Sequence, residues 1–128
     1  MSDLLRQGSA MLHRTRRESV SHEVVYRRGT GEEAIEFTIL ATVSATSAER
    51  IDSSGSVLVR YRDFCFETTE LLEQLGSEPR PGDVVVETNG ETAERYEAVK
   101  GAGEGCFRRE GLQHESIRVH TQNVGVEP

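Results

Sequence analysis

Between Ala34 and Val43 the chain alternates. Ile35, Phe37, Ile39, Ala41 and Val43 fall on one side, with Glu36, Thr38 and Thr42 on the other. A period of two is that of a β-strand, and it commits this segment to a sheet with one buried face and one wet face. Leu40 interrupts the polar side, so part of that face is expected to be covered as well. Two turn signals downstream dictate how such strands connect. Arg80-Pro81-Gly82-Asp83 presets the backbone ahead of Val84-Val85-Val86. Asn89-Gly90 is the strongest hairpin signal and reverses the chain toward Tyr96–Val99, with polar Glu91–Arg95 read as widening the loop.

The remaining segments fit the same class. Val20–Tyr26 reads as a strand turned by Arg28-Gly29-Thr30-Gly31. Small, polar Ser44–Ser47 reads as a break, followed by a weak strand near Glu49–Asp52 and a turn at Ser53-Ser54-Gly55-Ser56. In Val57–Phe66 the apolar phase changes, from Val57, Val59 and Tyr61 to Phe64 and Phe66. A β-bulge near Arg62-Asp63 would reconcile the halves and bend the strand, as a small barrel requires. Thr69–Leu75, behind a Thr cap, reads as a short helix ended by Gly76. Gly101–Gly105 reads as flexible, Cys106-Phe107 as a short apolar contact, Ile117, Val119 and Thr121 as a last strand, and Val124–Pro128 as a tail. Ser2–Arg14 reads as an amphipathic helix, with Leu4, Leu5, Gly8, Met11 and Leu12 on one stripe. The expected fold is mainly β: a small antiparallel β-barrel or sandwich with an N-terminal α-helix and a short internal helix. Residues 1–18 form the helix and a linker, 19–125 a single β domain, and 126–128 a C-terminal tail.

A chain of 128 residues fits one domain, which buries roughly two-thirds of its unfolded surface. Its core is lean, because aromatics are 5% of residues and Trp is absent. The net charge of −7 argues against sequence-specific nucleic-acid binding, which needs a basic surface. Arg14, Arg16 and Arg17 cluster near the start, where cations favour a helix C-terminus. Cys65 and Cys106 are too few for a zinc site. The opening residues lack the apolar run of a signal peptide, and no stretch reaches the ~20 apolar residues of a membrane span. These features point to synthesis in a reducing cytoplasm with both thiols free.

No catalytic constellation assembles from the sequence. His13, His22, His114 and His120 have no metal-ligating neighbour at close spacing, and His120 lies on the polar phase of the last strand. Ser53-Ser54-Gly55-Ser56 lacks the Gly-x-Ser-x-Gly elbow of hydrolases. Gly101-Ala102-Gly103-Glu104-Gly105 matches a phosphate loop only in glycine content, without the Lys-Ser/Thr ending. Asp63 and Asp83 could pair as carboxylates, but Asp83 after Pro-Gly more simply closes a turn. The reading assigns no catalytic, cofactor-binding or metal-binding residue. A terminal helix this short is barely stable alone, so it would either fold back on its own domain or dock on a neighbouring subunit, and Leu4, Leu5, Met11, Leu12, Arg16 and Arg17 are the candidate assembly contacts.

Spaced phrases run through most of the chain, from about Leu4 to Gly125. They are Leu4-Leu5 to Met11-Leu12, Val24-Val25-Tyr26-Arg27-Arg28-Gly29, Asp63-Phe64-Cys65-Phe66, Pro81-Gly82-Asp83, Tyr96-Glu97-Ala98-Val99 and Ile117-Arg118-Val119-His120-Thr121. In this order they resemble the small virion proteins of tailed phages at the head–tail connector. One departure is Cys106-Phe107-Arg108, where a larger aromatic such as Trp is expected first. The resemblance implies a head-closure (stopper) or connector subunit, a β-barrel that assembles with itself in a ring of about six or twelve copies. Its partners would be portal or adaptor and tail proteins, with DNA passing through unbound by sequence and no membrane involved. It would sit in the virion at the head–tail junction, made in the host cytoplasm. A tail terminator or tail-completion protein fits the same residues, and so does a β-barrel module that binds a peptide or small ligand.

Overall fold

The computed structural model describes residues 21–50, 58–101 and 104–127. Within them lie seven strands and one α-helix: β1 (Ser21–Arg28), β2 (Ile35–Arg50), β3 (Leu58–Glu67), α1 (Thr68–Leu75), β4 (Val84–Asn89), β5 (Thr92–Ala98), β6 (Phe107–Glu110) and β7 (Ser116–Val126). Neighbours pair antiparallel in the order β3-β2-β1-β4-β5-β7-β6. β7 also pairs with β3, from Glu67↔Ser116 to Tyr61↔Gln122. That last pairing closes six strands into a barrel and leaves β6 outside, attached to β7 alone. Closure removes the open sheet edges that a sandwich of this size would expose.

The alternation of Ile35–Val43 does what its period demands. Ile39 and Ala41 point inward and are buried, and Ile35, Phe37 and Val43 pack against them. Val24 and Tyr26 of β1, Phe64 and Phe66 of β3, Val85 of β4, Tyr96 and Ala98 of β5, and Ile117 and Val119 of β7 complete the interior. The few aromatics are concentrated there. Tyr26 stacks on Phe37 at 5.5 Å and meets the edge of Phe66 at 5.8 Å, while Phe64 meets Tyr96 edge-on at 5.4 Å. Helix α1 covers one end with buried Leu71 and Leu75. Gly76 stops it in the left-handed conformation, φ 73°, donating its N–H to the Leu72 carbonyl at 2.8 Å. Threonine does not cap it. Glu67 holds that position without a side-chain bond, and the Thr68 hydroxyl donates to the His114 carbonyl at 2.6 Å.

Several segments differ from the sequence reading. β2 does not break at Ser44 but runs to Arg50. The register shift falls between Val43 and Ala45 of β2, not in β3, so Ser44 is the extra residue and pairing resumes at Ala45↔Asp63. From Thr46↔Arg62 to Arg50↔Leu58, β2 and β3 continue as a ribbon past Thr42, the end of the β1 pairing. β3 pairs with β7 without a register shift, yet its buried side changes from Val59 to Phe64 and Phe66, with half-buried Arg62 between them. Leu40 is 45% exposed rather than covered. β5 starts at Thr92, directly opposite Asn89, so Glu91–Arg95 does not widen the hairpin. Phe107–Glu110 pairs with Val119–Ser116 as β6, and the expected tail at Val124–Val126 is the end of β7. Glu127 donates its N–H to the Ala93 carbonyl at 2.7 Å. The expected helix over Ser2–Arg14 lies outside the described residues, as does the turn at Ser53–Ser56.

Candidate functional site

At the helix-covered end, the Arg80–Asp83 turn forms as its residues require, with Gly82 at φ 96° and Asp83 N–H donating to the Arg80 carbonyl at 3.1 Å. Asp83 does more than close it. The residue is 3% exposed, and its carboxylate accepts the Tyr26 hydroxyl at 2.5 Å and the Arg28 guanidinium twice at 2.8 Å. A buried carboxylate survives only when its charge is paired and its lone pairs are filled, and here both conditions hold. Burial, and then the bond to Asp83, push the Tyr26 phenol well above its ordinary range. Arg28 also reaches Ser77 at 2.5 Å and the Glu78 carbonyl at 2.8 Å, tying the segment after α1 to β1.

At the opposite mouth a second polar group crosses the barrel. Glu87 of β4 is 6% exposed; His22 of β1 lies 2.6 Å from its carboxylate, and Arg62 of β3 donates to the other oxygen. The Arg62 guanidinium also lies over the Tyr96 ring at 5.3 Å, and the Arg62 carbonyl accepts the Thr121 hydroxyl at 2.5 Å. Arg62 thus ties the root of the β2–β3 ribbon to β4, β5 and β7.

The outer face of β3 and β7 carries a third network. His120 directs Nδ1 to Asp63 at 3.1 Å and Nε2 to Glu104 at 2.6 Å, with Arg118 reaching Asp63 at 3.4 Å and Glu110 at 2.5 Å. The outward phase of His120 matches the sequence reading, while its partners come from strands and loops far away in sequence. Gly101 lies flat on the imidazole: a Cβ there would fall 2.5 Å from His120 Cδ2. Both ring nitrogens face carboxylates, so no hydroxyl or thiol is placed for activation. Asp63 and Asp83 lie in separate networks and do not pair.

Among the described residues, no His, Cys, Asp and Glu group is placed to hold a metal ion. Cys106 is buried in the core and Cys65 is half-buried; both are free, and burial pushes both thiols up, away from the reactive thiolate. No described helix is long and apolar enough to cross a membrane. The candidate assembly contacts Leu4, Leu5, Met11, Leu12, Arg16 and Arg17 lie outside the described residues. Among the described residues, the exposed large apolar side chains are Leu40 on β2, Leu112 in the loop between β6 and β7, and Val124 and Val126 at the far end of β7. Sequence patterning gave Leu112 no strand or helix to belong to and read the two valines as tail.

The charged networks brace the barrel and order its loops. Leu40, Leu112, Val124 and Val126 stay outside these networks and are exposed. No curated protein and no solved structure matches the chain. A family model described as phage head-tail joining protein matches residues 2–128. The match spans the whole barrel, its ribbon and its helix, and agrees with the ordered phrases of the sequence. The chain therefore belongs to the phage head-tail joining protein family, a structural component of the virion at the head–tail junction.

Proposed function

We propose that the chain is a non-enzymatic head-closure subunit that assembles in a ring between portal and tail, closing the filled head and passing DNA to the tail. The observation that carries this reading is the family match over residues 2–128. The geometry supports it in two ways. A closed barrel braced at both ends by buried ion pairs is a rigid body, suited to bearing load within a ring. The ribbon of β2 and β3, rooted on Arg62, extends from that body toward whatever lies at the mouth. A net charge of −7 suits a wall around DNA, because several Lys or Arg contacts would make passing DNA adhere in a salt-dependent way.

The partners in this reading are further copies of the chain, a portal or adaptor protein on one side and a tail protein on the other. Leu4, Leu5, Met11, Leu12, Arg16 and Arg17 are proposed to contact those neighbours. Particles assembled without the protein test the reading. They should contain normal heads that leak DNA or lack tails. Stably filled heads with a tail defect would assign the chain to tail termination, and normal infectious particles would overturn the proposal.

A further inference from the structure

His120 is held between two carboxylates at once, with Nδ1 3.1 Å from Asp63 Oδ1 and Nε2 2.6 Å from Glu104 Oε1. An ionised carboxylate only accepts hydrogen bonds, and a neutral imidazole has a single N–H to give. Both bonds therefore form together only with the imidazolium, which carries a hydrogen on each nitrogen. The surrounding charges agree. The ring faces Asp63 from β3 and Glu104 from the segment before β6, while Arg118 lies two residues away on β7 and reaches Asp63 at 3.4 Å. Arg108 of β6 lies 3.7 Å from Glu104, and Glu110 pairs with both Arg108 and Arg118. Cys65 stands opposite Arg118, Glu97 of β5 stands opposite Gln122, and Lys100 is exposed beside Gly101. Asp63, Glu104 and Glu110 thus set three negative charges against the guanidiniums of Arg108 and Arg118, and a charged His120 balances them.

The chain between β5 and β6 returns to this ring. Val99 N–H donates to the His120 carbonyl at 2.9 Å, and His120 N–H donates to the Cys106 carbonyl at 2.7 Å. Between those two anchors Gly101 lies against the imidazole, and its N–H donates to the Gly105 carbonyl at 3.0 Å. The His120 side chain is left only 15% exposed. Its two carboxylate partners differ in freedom. Asp63 is the register partner of His120 across β3 and β7, and Arg118 holds its second oxygen. Glu104 belongs to the connecting segment.

Loss of the ring proton leaves one N–H for two acceptors. Given to Glu104, it turns the Nδ1 lone pair on Asp63, which cannot withdraw without opening the β3–β7 pair. Given to Asp63, it turns the Nε2 lone pair on Glu104, and that conflict ends when Glu104 swings away. We infer that Gly101, Glu104 and Gly105 form a proton-dependent strap, closed over His120 while the imidazole is charged and released at Glu104 when it is neutral. Closing binds a proton, so it is favoured as pH falls and lost as pH rises through the titration of the ring. Histidine is the side chain suited to such a change near neutral pH. Release uncovers the imidazole on the outer face of β7 and frees the Glu104 carboxylate.

Nuclear magnetic resonance of the full chain tests this between about pH 5 and 9, above the ordinary carboxylate range. Ring nitrogen shifts report the protons on His120, and the Overhauser contact between Gly101 Hα and His120 Hδ2 reports the strap. Both nitrogens should be protonated while the contact is present. The contact should disappear as the ring loses its proton, with the amides of Phe64 and Val119 unchanged. Glu104→Gln supplies an acceptor without charge and an amide that can face a bare lone pair, so its contact should persist across the range. A contact that outlasts the proton in the native chain overturns the inference, as does a ring that does not titrate within the range. Loss of the contact in step with the proton in Glu104→Gln also overturns it, since the Glu104 charge would then play no part. Core amides that shift together with the contact would make the change one of the whole barrel and overturn the strap.

Discussion

Asp83 shows how much one side chain carries here. It joins β1 to the turn before β4 through Tyr26 and Arg28, and it lies beneath the helix-covered end. Asp83→Ala leaves a buried guanidinium and a buried phenol without their acceptor, which costs about 3–5 kcal/mol. Tyr26→Phe removes one hydroxyl and leaves the ion pair, a loss of about 1–3 kcal/mol. Urea unfolding of both variants checks the order, and an Asp83→Ala loss smaller than that of Tyr26→Phe would contradict it. Glu115 makes a pH prediction. Its own backbone N–H, and then that of Gln113, hold its carboxyl below the ordinary glutamate range. A depressed carboxyl contributes order that is fully present above the ordinary value, about 4.3, and lost as pH falls through the lowered one. Exchange of the Gln113 amide, corrected for intrinsic rate, should therefore be slow at neutral pH and accelerate below about pH 4. Protection that is unchanged down to pH 2 would contradict it.

At the scale of elements, what was legible in the sequence was local. The run Ile35–Val43 declares its face by itself, Asn89-Gly90 its hairpin, and Gly76 its helix end, because each needs only neighbouring residues. The continuation of β2 through Ser44–Arg50 was hidden because its small, polar residues carry no alternation; β3 supplies the pairing. The half-buried place of Arg62 was hidden because a charged residue turns inward only with partners, and those partners, Glu87 and Tyr96, lie on β4 and β5. The His120 network was illegible for the same reason, being built from contacts distant in sequence. The core face predicts a further result. Phe64 is wholly buried and touches Phe66 and Tyr96, so Phe64→Ala should cost about 3–5 kcal/mol. Phe37 is only partly buried, and Phe37→Ala should cost less. Thermal unfolding compares them, and a larger loss for Phe37→Ala would misplace the centre of the core. Removal of Met1–His13 should impair assembly while the far-UV spectrum of the β domain is retained, and unfolding of the shortened chain would instead make that segment part of its core.

For the whole molecule, a closed barrel with one external strand, one capped end and a ribbon at the other gives an object with distinct faces. Membership of the head-tail joining family places that object at the junction. An acidic subunit of this kind suits a passage for DNA, provided its copies enclose the axis. Electron cryo-microscopy of the neck of intact tailed particles measures this directly. The account predicts a closed ring of these barrels between head and tail. Barrels present singly, or located away from the neck, would contradict it.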